Sequence, residues 1–160
     1  MGRYLNQLKT CSQFAEFEIV APTISTLFIL EFIININLPN INEYVRPDLS
    51  PSLVDGVPFS LSDAERELRI YNALKSNKGI LCQLFINDGQ ISHLIHSWLV
   101  WNKPPGYNED VLKDIKSQME QLVIAQGNKL IIKLLPWNNT VMGVGDAITV
   151  NLTCYEEISN

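Results

Sequence analysis

The sequence has few of the residues from which metal and catalytic sites are most often built. It contains two histidines, three cysteines and only 18% charged residues among 160. Cys11, Cys82 and Cys154 form no Cys-x-x-Cys pair and none stands at zinc-site spacing from a histidine, which argues against a structural metal. An odd number of cysteines without a secretion signal predicts reduced thiols in a cytoplasmic protein. We therefore expect neither a metal nor a cofactor.

Positive charge is in the minority, and long apolar runs are missing. Twelve basic against 17 acidic residues give a net charge of −5. DNA- and membrane-binding modules need positive fields, so this balance argues against both. The most apolar stretch, residues 26–38, contains Glu31, Asn35 and Asn37, which makes it too short and too polar for a membrane span. We expect no membrane contact, and nucleic acid only through a larger complex.

The length predicts a single globular domain over residues 1–160. A chain of this size buries roughly 70% of the surface that its unfolded form exposes, so it needs no disulfide to fold. We expect residues 1–13 to form a flexible N-terminus. Residues 39–60 hold four of the eight prolines and predict a long irregular connection, a kind of segment that often faces a partner.

Period-two patterns predict the strands. Residues 14–20 alternate apolar and acidic side chains, and residues 129–135 and 147–155 form two later strands, the last with Ile148, Val150, Leu152 and Cys154 as its buried face. Residues 26–38 form the longest strand. Leu27 and Ile29 begin one of its faces, so the strand is apolar on both faces at this end, which is typical of a central strand. The other face of that strand is predicted to carry Phe28, Leu30, Phe32, Ile34, Ile36 and Leu38.

Two helices and a hairpin complete the prediction. Ser62-Asp63-Ala64-Glu65 is a capping box, which predicts a helix ending at Gly79. Its apolar stripe consists of Ala64, Leu68, Tyr71 and Leu74. Residues 80–87 and 90–101 flank Asp88-Gly89, a strong hairpin signal.

A second helix is predicted from an Asn108 cap to Gly127. The resulting order is β-β-α-β-β-α-β-β, an α+β domain with a mainly antiparallel sheet and two helices on one face. Without its first and last strands this order becomes β-α-β-β-α-β, so a ferredoxin-like core with added N- and C-terminal strands is one arrangement.

Three titratable residues are the suspects if the protein is an enzyme: Glu31, His93 and His96. The histidines are three positions apart on a predicted strand, which places them on opposite faces and disfavours a shared metal. Glu31 has the apolar neighbours Ile29 and Ile33, and burial would raise the pKa of its carboxyl unless it is paired. The alternative is that Glu31 faces solvent or meets a lysine.

No motif for nucleophilic catalysis is present, since Ser92 and Ser97 lie in no G-x-S-x-G turn. By elimination, the leading hypothesis is a non-catalytic accessory or adaptor subunit that binds a protein partner or a second copy of itself. The alternatives are a nucleic-acid-associated accessory subunit or small-ligand-binding domain, and an enzyme whose site is assembled from scattered residues. Trp101 and Trp137 each end a predicted strand, although a ferredoxin-like order places them at opposite ends. The candidate interface residues are Leu27, Ile29, Tyr44, Arg46, Trp101, Tyr107 and Trp137.

Overall fold

The structure is a computed structural model that describes residues 1–39, 48–54, 56–76, 78–101, 103, 105–138 and 140–159. It is α+β, as predicted, and consists mostly of antiparallel strands. The elements in chain order are β1 (Gly2–Cys11), β2 (Glu16–Val20), β3 (Ser25–Asn37), β4 (Ser52–Val54), β5 (Val57–Phe59), α1 (Asp63–Ser76), β6 (Gly79–Asn87), β7 (Ser92–Trp101), β8 (Tyr107–Asp110), α2 (Val111–Ile115), β9 (Val123–Ile124), β10 (Lys129–Trp137) and β11 (Ala147–Ile158).

The described strands form two main sheets instead of the single sheet that was predicted. The five-stranded sheet has the order β1-β11-β3-β8, with β9 also paired to β3. The four-stranded sheet has the order β2-β10-β6-β7, and β4 pairs with β5 in a separate hairpin. The ferredoxin-like core is therefore not confirmed.

Each main sheet buries one face in a common hydrophobic core. The predicted buried face of β11 is confirmed, because Ile148, Val150, Leu152 and Cys154 all lie in this core. The four-stranded sheet contributes alternate residues of β6 and β10, so side chains from the two sheets pack together. These residues are Ile80, Cys82, Leu84, Leu130, Ile132 and Leu134.

A β-bulge at Leu30 divides β3 into two halves. Ile29 pairs with Cys154 and Glu31 pairs with Thr153, which leaves Leu30 as an extra residue without a partner on β11. A bulge of one residue reverses the inward and outward alternation of a strand. Leu27 and Ile29 are therefore buried on the same face as Phe32, Ile34 and Ile36. The prediction that Phe28 and Leu30 share the face of Phe32 was wrong, because it assumed unbroken alternation.

The N-terminus and the second helix also differ from the prediction. Residues 1–13 include β1, which pairs along its whole length with β11. The second helix is the single turn α2, because β8 occupies its expected first turn and pairs with β3. Asp110 instead of Asn108 caps it, by accepting a hydrogen bond from the Lys113 amide at 3.3 Å. Pairing with β3 therefore outweighs the helical periodicity of residues 108–127.

The first helix begins where the sequence predicted. The Ser62 hydroxyl accepts a hydrogen bond from the Glu65 amide at 3.2 Å, as in a capping box. Three residues of its predicted apolar stripe, Ala64, Leu68 and Tyr71, are exposed, whereas Ala73, which lies outside that stripe, is buried. No helix of the described residues is both long and apolar enough to cross a membrane.

The predicted connection over residues 39–60 contains the small β4–β5 hairpin. Tyr44 and Arg46, two of the candidate interface residues, lie outside the described residues.

Candidate functional site

A row of apolar side chains crosses the outer face of the five-stranded sheet. Tyr4 on β1 pairs with Tyr155 on β11, Tyr155 pairs with Phe28 on β3, and Phe28 pairs with Val123 on β9. Directly paired residues project from the same face of an antiparallel sheet. These four residues and the bulged Leu30 are called the aromatic row below. Tyr4 is 73% exposed and Leu30 is 48% exposed.

The aromatic row lines a groove of about 330 Å³. Tyr4, Phe28, Leu30 and Tyr155 supply its apolar walls, and Gln121 and Glu157 supply the polar groups. The rings of Tyr4 and Tyr155 lie 5.2 Å apart between centroids and are tilted by 58°. Tilted rings at this distance attract one another, so each ring helps to hold the other in place.

Polar side chains next to the aromatic row are already hydrogen-bonded to one another. The Asn6 amide donates to Asn151 Oδ1 at 3.0 Å and to Thr153 Oγ1 at 2.9 Å. A fixed polar margin around an apolar centre is the usual anatomy of a protein interface.

Gly2 allows the Tyr155 ring to lie close to β1. A Cβ atom on residue 2 would overlap the hydroxyl and the adjoining ring carbon of Tyr155, and it would stand 2.8 Å from the Glu156 carbonyl oxygen. Only a residue without a side chain leaves this space free.

We expect Gly2→Ala to displace the Tyr155 ring and to lower the free energy of unfolding by about 1 kcal/mol, because overpacking strains its surroundings. Urea unfolding measures the loss. In a Tyr155→Thr background the same change should cost clearly less, since the ring that it meets is gone. Equal losses in both backgrounds would contradict this contact.

The bulge removes Leu27 and Ile29 from the candidate interface. They are 1% and 3% exposed and belong to the core, so their prediction as interface residues was wrong. The bulge also turns Glu31 outward, where it is exposed as the solvent alternative expected. The exposed apolar residues of this strand are therefore its neighbours in sequence, Phe28 and Leu30.

The strand order places the two tryptophans at the same end of the four-stranded sheet. Trp137 on β10 and Trp101 on β7 both pair with Gly79 on β6, one on each side. The opposite-end arrangement expected from a ferredoxin-like order was wrong, because β6 lies between β10 and β7. Trp137 is half-buried at this end.

The histidines lie on the same side of β7. A second bulge leaves Ile95 without a partner, and His93 and His96 pair with Ile86 and Leu84, two alternate residues of β6. The prediction of opposite faces was wrong for the same reason as in β3. His93 lies 3.4 Å from an Asp88 carboxylate oxygen. His96 Nδ1 accepts a hydrogen bond from the Gln118 side-chain amide at 3.2 Å, and the His96 ring stacks on Trp98.

The two histidines thus have separate partners. Within the described parts of the chain, no three His, Cys, Asp or Glu side chains are grouped so that they could hold a metal ion.

A carboxyl pair joins β8 to α2: Glu109 is buried on the inner side of β8, and Asp114 is exposed on α2. Glu109 is 8% exposed and hydrogen-bonds to Asp114 and Tyr107. Burial, and then the hydrogen bond to Asp114, raise the pKa of Glu109 to about 7. Burial also raises the pKa of Tyr107 to about 12. The Lys103 ammonium stands 4.7 Å from the centroid of the Tyr107 ring.

This pair can hold a proton near neutral pH, which is a property that acid–base residues share with structural carboxyl pairs. The grooved outer face lies on the other side of the sheet, since Glu109 pairs with the inward-facing Ile34. Tyr107, one of the candidate interface residues, belongs to this cluster.

The aromatic row was not found from the sequence. Tyr4 lies in the segment expected to be flexible, and Tyr155 was placed in the last predicted strand without a role. The available signal was β3 itself, where five of the six residues from Leu27 to Phe32 are apolar and fit either alternation.

Comparisons with known proteins identify no family. No family model matches the sequence, and no curated protein matches it. The structure is similar to the crystal structure of GEBA250068378 from Sulfurospirillum deleyianum, with 13% identity and a TM-score of 0.31 over 94% of this chain and 96% of that chain.

Proposed function

We propose that this protein is a non-catalytic interaction module, an accessory or adaptor subunit, that binds a protein partner on the outer face of its five-stranded sheet. The observation that carries the proposal is the aromatic row, which crosses four strands and remains open to solvent. Burial of a contiguous apolar patch away from water is favourable, and exposed patches of this kind commonly mark interaction sites.

The composition of the patch supports a protein partner. Tyrosine and phenylalanine are enriched in the centres of protein interfaces, where they bury a large area with few rotatable bonds. The hydrogen-bonded Asn6, Asn151 and Thr153 side chains provide a polar margin that needs little reordering on binding. The partner is a different protein or a second copy of this chain.

We expect the double substitution Tyr4→Ser and Leu30→Ser to weaken partner binding at least about tenfold, since central interface residues commonly contribute 2 kcal/mol or more. Both side chains are well exposed, so the fold should tolerate their loss. The matched control is the double substitution Val141→Ser and Val144→Ser, which removes exposed apolar side chains from a loop.

The measurement has two parts. Tagged variants are recovered gently from the source organism, their co-purifying proteins are quantified by mass spectrometry, and purified protein is examined by sedimentation velocity. The proposal is supported if the wild type and the Val141 and Val144 double variant retain a partner, or a dimer, that the Tyr4 and Leu30 double variant loses. Equal retention by both variants, with the fold verified by circular dichroism, would overturn it.

A further inference from the structure

We propose that the groove on the aromatic row binds an arginine side chain that the partner presents. This inference rests on the proposed function and deepens it, because it names the chemical group that the outer face recognises. It depends on the combination of rings and carboxylates around the groove.

The groove offers aromatic rings to a cation. Tyr4 and Tyr155 lie 5.2 Å apart between ring centroids at an interplanar angle of 58°, and Phe28, which pairs with Tyr155, adds a third ring to the lining. The face of an aromatic ring is negative, and it attracts a cation held within about 6 Å of its centroid. A guanidinium group can also stack flat on such a ring, which an ammonium group cannot.

The charged residue that lines the groove is acidic. Glu157 is exposed and lines the groove, and none of the six lining residues is basic. Glu31, also exposed, pairs with Thr153 and therefore lies one row away on the same outer face. The aromatic row thus runs between two rows that each carry a carboxylate.

The nearest cation on β1 is directed away from the groove. Arg3 lies 3.5 Å from the carboxylate of Glu156, which is buried on the inner side of the sheet. Arg3 therefore pairs with the inward-facing carboxylate of Glu156 and leaves the carboxylate of Glu157 available to a bound cation. A carboxylate beside aromatic rings offers an arginine both a charge-assisted hydrogen bond and a stacking surface.

The test uses a blocked pentapeptide, Gly-Gly-Arg-Gly-Gly with acetyl and amide ends, titrated into ¹⁵N-labelled full-length protein. The same peptide with citrulline in place of arginine is the neutral isostere. We expect weak binding of the arginine peptide, with amide shifts centred on Tyr4, Tyr155 and Glu157, and affinity about tenfold lower for the citrulline peptide.

Variants separate the charge from the rings. Glu157→Gln and Tyr4→Leu should each weaken binding several-fold, whereas Tyr4→Phe, which keeps the ring, should retain it. Glu67→Gln on α1 changes the net charge equally at an exposed position that does not line the groove, and it should have no effect. A loss that is the same for Glu157→Gln and Glu67→Gln would indicate attraction to the overall negative charge and would overturn the proposal.

Other results would separate the arginine site from the proposed function. No shifts, or equal binding of the arginine and citrulline peptides, would overturn the arginine site. The interaction-module proposal fails separately, when the Tyr4 and Leu30 double variant keeps its partner. A partner lost from that variant but retained by Glu157→Gln would show an apolar docking face without an arginine site.

Discussion

Deleting Ile33 should unfold this protein, whereas deleting Leu30 from the same strand should leave it folded. Leu30 is the extra residue of the bulge, so its removal joins Ile29 to Glu31 and pairs both with consecutive residues of β11. The alternation then runs regularly, with Leu27, Ile29 and Phe32 still directed into the core. We expect a change of no more than about 2 kcal/mol, the scale of typical substitutions.

Removal of Ile33 cannot be accommodated by any register that keeps all of the buried residues of β3 inside. If the bulge remains, Ile34 and Ile36 turn outward. If the chain absorbs the deletion at the bulge, Phe32 turns outward and Glu31 turns into the core. Exposing each of these buried side chains costs about 1.5–3 kcal/mol, and burying an unpaired carboxylate costs more. The total approaches or exceeds the 5–15 kcal/mol that stabilises a typical domain.

Circular dichroism and urea unfolding of the two deletion variants measure the difference. Leu30→Ala serves as the control for loss of the side chain alone, and it should change stability little because the side chain is half exposed. Two deletion variants that are equally unfolded would contradict the assignment of the bulge to Leu30.

Glu109→Gln should stabilise the protein at pH 8 and flatten the dependence of its stability on pH. Burial raises the pKa of Glu109 from 4.5 to about 7 in the folded state. Between these two values the folded state binds more protons than the unfolded state, so the free energy of unfolding falls as the pH rises. The penalty is absent below pH 4.5 and complete above pH 7.

Glutamine has the shape of the protonated carboxyl and can still donate to Asp114 and accept from Tyr107. The pKa difference corresponds to on the order of 1–3 kcal/mol at pH 8. The charged and titratable groups that act on Glu109 are Asp114, Tyr107 and Lys103, and none of them is altered by this substitution.

Urea unfolding at pH 5 and pH 8 gives the two free energies for each variant. Glu31→Gln is the matched control, because it removes a carboxyl from an exposed position on the neighbouring strand. We expect the free energy of unfolding to differ less between pH 5 and pH 8 in Glu109→Gln than in the wild type. In Glu31→Gln this difference should equal that of the wild type. A Glu109 variant that is less stable than the wild type at pH 8 would show that the carboxylate is favoured in the fold.

The sequence by itself determined the features that depend on neighbouring residues. The capping box at Ser62 began α1, and alternation predicted the buried face of β11. Asp88 and Gly89 lie in the connection from β6 to β7, although it comprises the four residues 88–91 and not these two alone. In each case the physical cause is local, because a cap, a turn or a period-two pattern acts within a few residues.

Only the tertiary structure decided which faces are inside. Apolar residues on both sides of β3 satisfy either alternation, and the bulge at Leu30 was selected by pairing with β11, more than 100 residues away in the sequence. The same long-range pairing made residues 2–11 a strand and brought Tyr4 beside Tyr155. The candidate site is therefore a product of strand register, because its residues acquire a common surface only when distant strands are hydrogen-bonded side by side.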